Sequence, residues 1–140
     1  EGCPGWMYQV KCGATTTWER WDALKPDGTV NEEKMAGSGD NMVSFNHYAF
    51  GSVGEFYYQY ILGIRPQKPG FAELHFEPYP DRRLGGVSGS YLSRAGKIES
   101  SWKYGEDGCH ITLSTPVKSE VILPDGKKET VEAGTYQWLC

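Results

Sequence analysis

From Phe71 to Leu139 the chain is cut into short segments by turn residues, and this spacing constrains the fold more than any other feature. Phe71, Glu73 and His75 alternate with Ala72, Leu74 and Phe76, which puts neighbouring side chains on opposite faces of an extended strand. Strand-like runs follow at 86–94, 97–104, 109–115, 120–123, 129–132 and 136–139. They are separated by Ala95-Gly96, by Gly105-Glu106-Asp107-Gly108 and by Pro124-Asp125-Gly126-Lys127. The last of these is a strong turn signature, since Pro presets one turn dihedral and Gly accepts a positive one. Seven short strands at about ten-residue spacing predict a small antiparallel sandwich. Trp102 and Trp138 are expected to fill its core. If they instead formed an exposed row on one face, they would make a carbohydrate-stacking platform.

The first half follows another pattern. Pro4 near the start and Gly13 after the end bracket a short helix. Residues 46–62 predict a longer one. Val53, Phe56, Tyr57, Tyr60, Ile61 and Ile64 recur at helical spacing. Asn46 or Ser44 can cap its start, and Gly63 and Pro66 end it. Gly51 and Gly54 each cost about 1 kcal/mol against Ala inside a helix, as expected where another element comes close. The helix is apolar over much of its surface, so missing upstream helices or another chain are expected to cover it. Between these helices, 23–43 reads as a loop, with a turn at Lys25-Pro26-Asp27-Gly28 and little to pack at 36–41.

Composition narrows the function. The 140 residues carry a net charge of −4, with nine Tyr and five Trp. That charge gives no basic field for nucleic acid, and no apolar run reaches the roughly 18–20 residues that span a bilayer. Residues 1–64 hold four basic against eight acidic side chains, whereas 65–140 hold ten of each. No C-x-x-C occurs and no Cys/His spacing fits a zinc site. Cys3, Cys12, Cys109 and Cys140 are expected as free thiols, although Cys109 and Cys140 lie in or beside strands that can meet. The N-terminus, without an initiator Met or signal peptide, reads as a cut inside a longer protein.

The densest chemistry lies at Gly13-Ala-Thr-Thr-Thr-Trp18-Glu19-Arg20-Trp21-Asp22. Charged Glu and Arg are almost never buried unpaired, and two exposed Trp on a short loop make an apolar patch. A cleft satisfies both constraints: aromatic walls stack on a ligand while a partly desolvated carboxylate moves a proton. The plainer alternatives are a salt-bridged Glu19, core-filling Trp18 and Trp21, and a His47 that caps or packs the helix behind it.

Three motifs in order, Pro4-Gly5-Trp6, the Gly13–Asp22 stretch and Ser44-Phe45-Asn46-His47-Tyr48-Ala49-Phe50-Gly51-Ser52, resemble the C-terminal end of bacterial α-L-rhamnosidases of glycoside hydrolase family 78. The likeness covers essentially the whole chain. It implies an α+β chain in which the terminal helices of an (α/α)6 barrel, residues 1–64, precede a small antiparallel β-sandwich, residues 65–140. It further implies that Glu19 is the general base of an inverting hydrolysis. His47, with Asn46, Trp18 and Trp21, would contact rhamnose. No metal or cofactor is implied, and the partner is a rhamnose-containing glycan or glycoside. The general acid has no counterpart here, so the chain alone is expected to be inactive. The reading from a different class is a non-catalytic carbohydrate-binding or structural sandwich module, which as a binding module needs an exposed aromatic row on one sheet face.

Overall fold

A computed structural model of the chain describes residues 4–33 and 43–140. It divides into two compact units, Glu1–Val53 and Gly54–Cys140.

In the first unit, helix α1 (Trp6–Lys11) begins after Gly5 and stops before Gly13, whose φ of 79° turns the chain away. A loop follows, as the three threonines predict. The Lys25–Gly28 turn closes with Gly28 N–H donating to the Lys25 carbonyl at 2.8 Å, and Leu24 bridges Val30 across it. The small-residue tract at 36–41 lies outside the described residues.

The single helix predicted over 46–62 is three pieces: α2 (Tyr48–Gly51), α3 (Val53–Phe56) and a π-helical turn at Tyr57–Ile61. The cause is local. The Ser52 hydroxyl donates to the Ala49 carbonyl at 2.7 Å and ends α2, and Gly51 and Gly54 on either side of it have low helix propensity. Leu62 N–H then reaches the Tyr57 carbonyl at 2.9 Å, an i to i−5 bond that shifts the helical register. The cap of α2 is His47, not Asn46 or Ser44, with Nδ1 accepting from Phe50 N–H at 3.4 Å. Gly63 ends the run at φ 74°, as predicted. The predicted apolar stripe is not uniformly buried: Ile61 packs on the core, while Phe56, Tyr57 and Tyr60 stay exposed.

The second unit holds eight strands in two four-stranded sheets. Strands β1 (Ile64–Pro66), β2 (Leu74–Phe76), β6 (Ser119–Ile122) and β7 (Lys128–Val131) form one sheet in that order. Strands β3 (Gly86–Ser93), β4 (Gly96–Tyr104), β5 (Cys109–Thr115) and β8 (Gly134–Leu139) form the other. The second sheet is antiparallel throughout, and its register pairs Trp102 with Val87 and Ile111. The first is not purely antiparallel, because β2 runs parallel to β6. The strand predicted from Phe71 also begins later, since 69–71 is a 3-10 turn with Phe71 at φ 60°. Among the described residues Phe71 is the one non-glycine with positive φ.

Alternate residues of both sheets meet in one core, where Phe76, Ile98, Ile111, Leu113 and Val121 are fully buried. Trp102 joins them, 1% exposed, with Nε1–H donating to the Ile61 carbonyl at 2.7 Å. Trp138 lies half-buried against the core and donates to Glu129. Cys109 and Cys140 exchange two main-chain hydrogen bonds, of 2.7 and 3.1 Å. Their thiols are free, as is that of Cys12, and burial pushes the Cys109 and Cys140 thiols up in pKa. His75 stands between Glu77 and Glu120 at 3.1 and 3.2 Å, tying β2 to β6, and Arg65 reaches Glu77 from β1 at 3.0 Å.

Candidate functional site

The Trp-Glu-Arg-Trp loop has no strand partner, so its polar main chain must be satisfied residue by residue. A second segment, 44–47, does much of this. Glu19 N–H donates to the Ser44 carbonyl at 2.8 Å, and Ser44 N–H donates back to Glu19 Oε2 at 2.7 Å. His47 N–H donates to the Thr17 carbonyl at 2.7 Å, and the Thr16 hydroxyl donates to the Phe45 carbonyl. Trp18 is 4% exposed and meets the Phe45 ring edge-on at 5.3 Å. Its main-chain N–H donates to Gln9 Oε1 of α1 at 3.1 Å. The two segments that carry Glu19 and His47 are thus laced together along their length.

Arg20 does not pair with Glu19. Its guanidinium grips Asp22 through two hydrogen bonds, of 2.8 and 3.1 Å, and donates to the Glu33 carbonyl at 2.7 Å. Asn31 Nδ2 also donates to Asp22, at 3.0 Å. The Arg20 hydrogen bond holds the Asp22 carboxyl below its usual value, and Asp22 raises Arg20 in turn. This bidentate pair takes the neighbouring cation out of competition for Glu19. Among the described residues Glu19 makes no ion pair and its Oε1 accepts no hydrogen bond.

The remaining candidates differ in exposure. Trp21 is 42% exposed and sits edge-on to Trp6 at 5.6 Å. Asn46 is exposed, and its N–H donates to the Ser44 hydroxyl at 3.2 Å. His47 is half-buried between the rings of Tyr48 and Phe50. With Nδ1 accepting from Phe50 N–H, a neutral ring is assigned its hydrogen on Nε2, which leaves a donor for a hydroxyl. Glu19 keeps one oxygen anchored and one open, an arrangement that can take a proton from water. Among the described residues no three His, Cys, Asp or Glu side chains converge as metal ligands, and no helix is long and apolar enough to cross a membrane.

Sequence reasoning missed the Ser44 amide that fixes Glu19, because a main-chain donor leaves no trace in residue type. It also missed Asp22 and Asn31 as the partners that occupy Arg20. The Arg20-x-Asp22 spacing was the available signal.

Residues 1–61 match the sequence model of the bacterial alpha-L-rhamnosidase 6 hairpin glycosidase domain, and residues 63–137 match that of the bacterial alpha-L-rhamnosidase C-terminal domain. The chain therefore belongs to the bacterial alpha-L-rhamnosidase family, as its motifs suggested. An alpha-L-rhamnosidase of Alteromonas sp. (strain LOR) is 35% identical over 126 residues, which are 89% of this chain and 13% of that protein. An alpha-L-rhamnosidase of Streptomyces avermitilis is 34% identical over 131 residues, 92% of this chain and 12% of its own length. The crystal structure of native alpha-L-rhamnosidase from Aspergillus terreus superposes with a TM-score of 0.82 at 34% identity, over 98% of this chain and 16% of that one. The Streptomyces avermitilis enzyme complexed with L-rhamnose gives 0.79 at 30% identity, over 97% of this chain and 15% of that one. The chain thus spans only a small part of the length of the relatives it matches, and its fold is theirs: helices of the six-hairpin domain followed by a β-sandwich.

Proposed function

We propose that this chain supplies the general base and part of the sugar subsite of a glycoside hydrolase that removes terminal α-L-rhamnose. Glu19 takes a proton from a water that attacks the anomeric carbon opposite the leaving group, so the configuration inverts. Inverting enzymes hold their two carboxyl groups roughly 6.5–9.5 Å apart to admit that water. The second carboxyl, the general acid, comes from a part of the enzyme outside this chain. His47 Nε2–H and the Asn46 amide donate to sugar hydroxyls, Trp21 offers a ring to the sugar, and Trp18 holds the loop from beneath. The catalytic part ends at residue 64, and the sandwich from 65 onward is an accessory domain. Upstream helices, or another chain, cover the exposed rings of Phe56, Tyr57 and Tyr60.

The observation that carries this reading is the state of Glu19, a half-buried carboxylate anchored by one amide, free of Arg20 and laced beside His47. The rhamnose-bound relative supports the sugar. The binding-module alternative has less support. The outer face of the β3-β4-β5-β8 sheet carries a concavity of about 450 Å³ lined by Ser88, Ser101, Thr112 and similar small residues, with no aromatic row.

The test is Glu19→Gln in an enzyme containing this chain. We expect kcat to fall about 10²–10⁴-fold with KM changed by no more than a few-fold, since a base acts mainly in the transition state. Azide should restore turnover in Glu19→Ala. The isolated 140-residue chain should not hydrolyse an aryl α-L-rhamnoside. A near-normal kcat in Glu19→Gln would return Glu19 to a purely structural role.

A further inference from the structure

A second cleft lies wholly within the sandwich unit. Tyr58, Phe71 and Tyr91, with Glu55, Gln59, Ile64 and Pro66, enclose about 270 Å³. Its three rings meet at Tyr91: Tyr58 stands at 5.9 Å and 72° to it, Phe71 at 4.8 Å and 40°. Tyr58 and Tyr91 remain about 40% exposed (40% and 39%). Among the described residues neither phenol hydroxyl has a hydrogen-bond partner, whereas the Gln59 amide donates to Glu55 one helical turn away. Phe71 reaches the cleft from a backbone at φ 60°, a conformation that the other described residues with positive φ adopt as glycine. Such an outlier persists only where its surroundings hold it, and outliers of this kind cluster at ligand sites.

We propose that this cleft is a second, non-catalytic binding site for a 6-deoxyhexose pyranose, a rhamnose unit of the glycan. The polar groups are Glu55, Gln59 and the two phenols, while Ile64, Pro66 and Phe71 are apolar. A 6-deoxy sugar has the same mixed character, hydroxyls together with an apolar methyl group. A fully hydroxylated hexose would set a C6 hydroxyl against apolar residues, where it lacks a partner. A cationic ligand would find aromatic faces, but its one carboxylate already holds the Gln59 amide. The identity of the sugar rests on the rhamnoside reading above; the site itself does not depend on Glu19.

The experiment is a ¹H–¹⁵N titration of the full 140-residue chain with methyl α-L-rhamnoside, against methyl α-D-glucoside as control. We expect saturable millimolar shifts at Phe71, Tyr91 and their neighbours, unchanged in Glu19→Gln and absent with the glucoside. Tyr91→Ala should weaken binding about tenfold, in keeping with loss of one stacking ring. Phe71→Gly removes a second ring while relieving the strained φ, so it should weaken binding in a chain that still folds. Shifts confined to residues around Glu19 and His47 would overturn this site and leave the catalytic proposal standing. Equal shifts with the glucoside, or none at the cleft, would also overturn it.

Discussion

The two units are built on opposite terms. The sandwich satisfies its main chain through continuous ladders and closes over a core in which Phe76, Ile98, Leu113 and Val121 have no exposure. The described part of the first unit has two short helices, α1 and α2, and an isolated bridge, and its loop is held by a few discrete contacts such as those of Ser44 with Glu19 and of Gln9 with Trp18. In a ladder, the loss of one bond is shared with its neighbours. In the loop a handful of bonds between 16–19 and 44–47 must serve, so each weighs more on where one side chain points. Hence the region that holds the candidate catalytic carboxylate is also the one with least redundancy, in line with functional residues sitting on loops positioned by a scaffold.

The largest effect should come from breaking the sandwich. Trp102→Ala empties a fully buried site and leaves the Ile61 carbonyl unpaired, which should cost about 3–5 kcal/mol. Gly63→Ala should also be severe. At φ 74° an added Cβ would lie 2.3 Å from Pro78 N, a main-chain atom that cannot swing aside. Urea unfolding followed by the fluorescence of the sandwich tryptophans measures both. A loss below about 1 kcal/mol in Trp102→Ala would mean that the core is far looser than its burial indicates.

A middle effect is expected in the first unit. Asp22→Ala removes the acceptor for both Arg20 and Asn31 and frees the guanidinium beside Glu19. We expect a local loss of about 1–3 kcal/mol, read as faster amide exchange over residues 17–31 with little change in the sandwich. The same contact predicts a pH dependence. The folded Asp22 carboxyl titrates below its ordinary value of 3.8, so its contribution is complete above that value and is lost as pH falls through the folded pKa. Protection of the Ala23 and Asn31 amides should therefore fall in acid below about pH 4, and Asp22→Asn should flatten that dependence. An unchanged profile in Asp22→Asn would assign the acid sensitivity to other carboxylates.

These effects track what the residues disclosed beforehand. The long strands β3, β4 and β5 were legible because a run of seven or more strand-forming residues is hard to mimic, and the breaks at Ala95-Gly96 and Gly105-Glu106-Asp107-Gly108 fixed their ends. β1 was not, since three residues cannot display a period, and the strand read from the alternation at 71–76 was shortened to β2 by the 3-10 turn at 69–71. The parallel pairing of β2 with β6 is likewise a choice made by tertiary contacts 45 residues away. The helix failed at Ser52, where a hydroxyl competed for a main-chain carbonyl. In the candidate site, residue types and motif order marked Glu19, His47 and Trp21. The contacts that orient Glu19 and His47 run largely through main-chain atoms of Ser44, Thr17 and Phe50, which the sequence does not encode by type.

The smallest effect sharpens the comparison most. Gly13 and Gly63 have nearly the same backbone, φ 79° and 74°, so alanine meets a similar dihedral cost at both, roughly 1–2 kcal/mol for a left-handed residue. The surroundings differ. An added Cβ at Gly13 would have nothing within 4 Å, whereas at Gly63 it meets main-chain atoms. Gly13→Ala should therefore show the dihedral cost alone. It should act on the turn that follows α1, where Gly13 N–H donates to the Val10 carbonyl and Ala14 N–H to the Gln9 carbonyl, both at 3.0 Å. Amide exchange near residues 13–19 should quicken a few-fold, and the unfolding of the sandwich should stay unchanged. If Gly13→Ala instead lowered the sandwich transition as far as Gly63→Ala does, the two units would unfold as one cooperative block, and the contrast between discrete contacts and shared ladders would not describe their energetics.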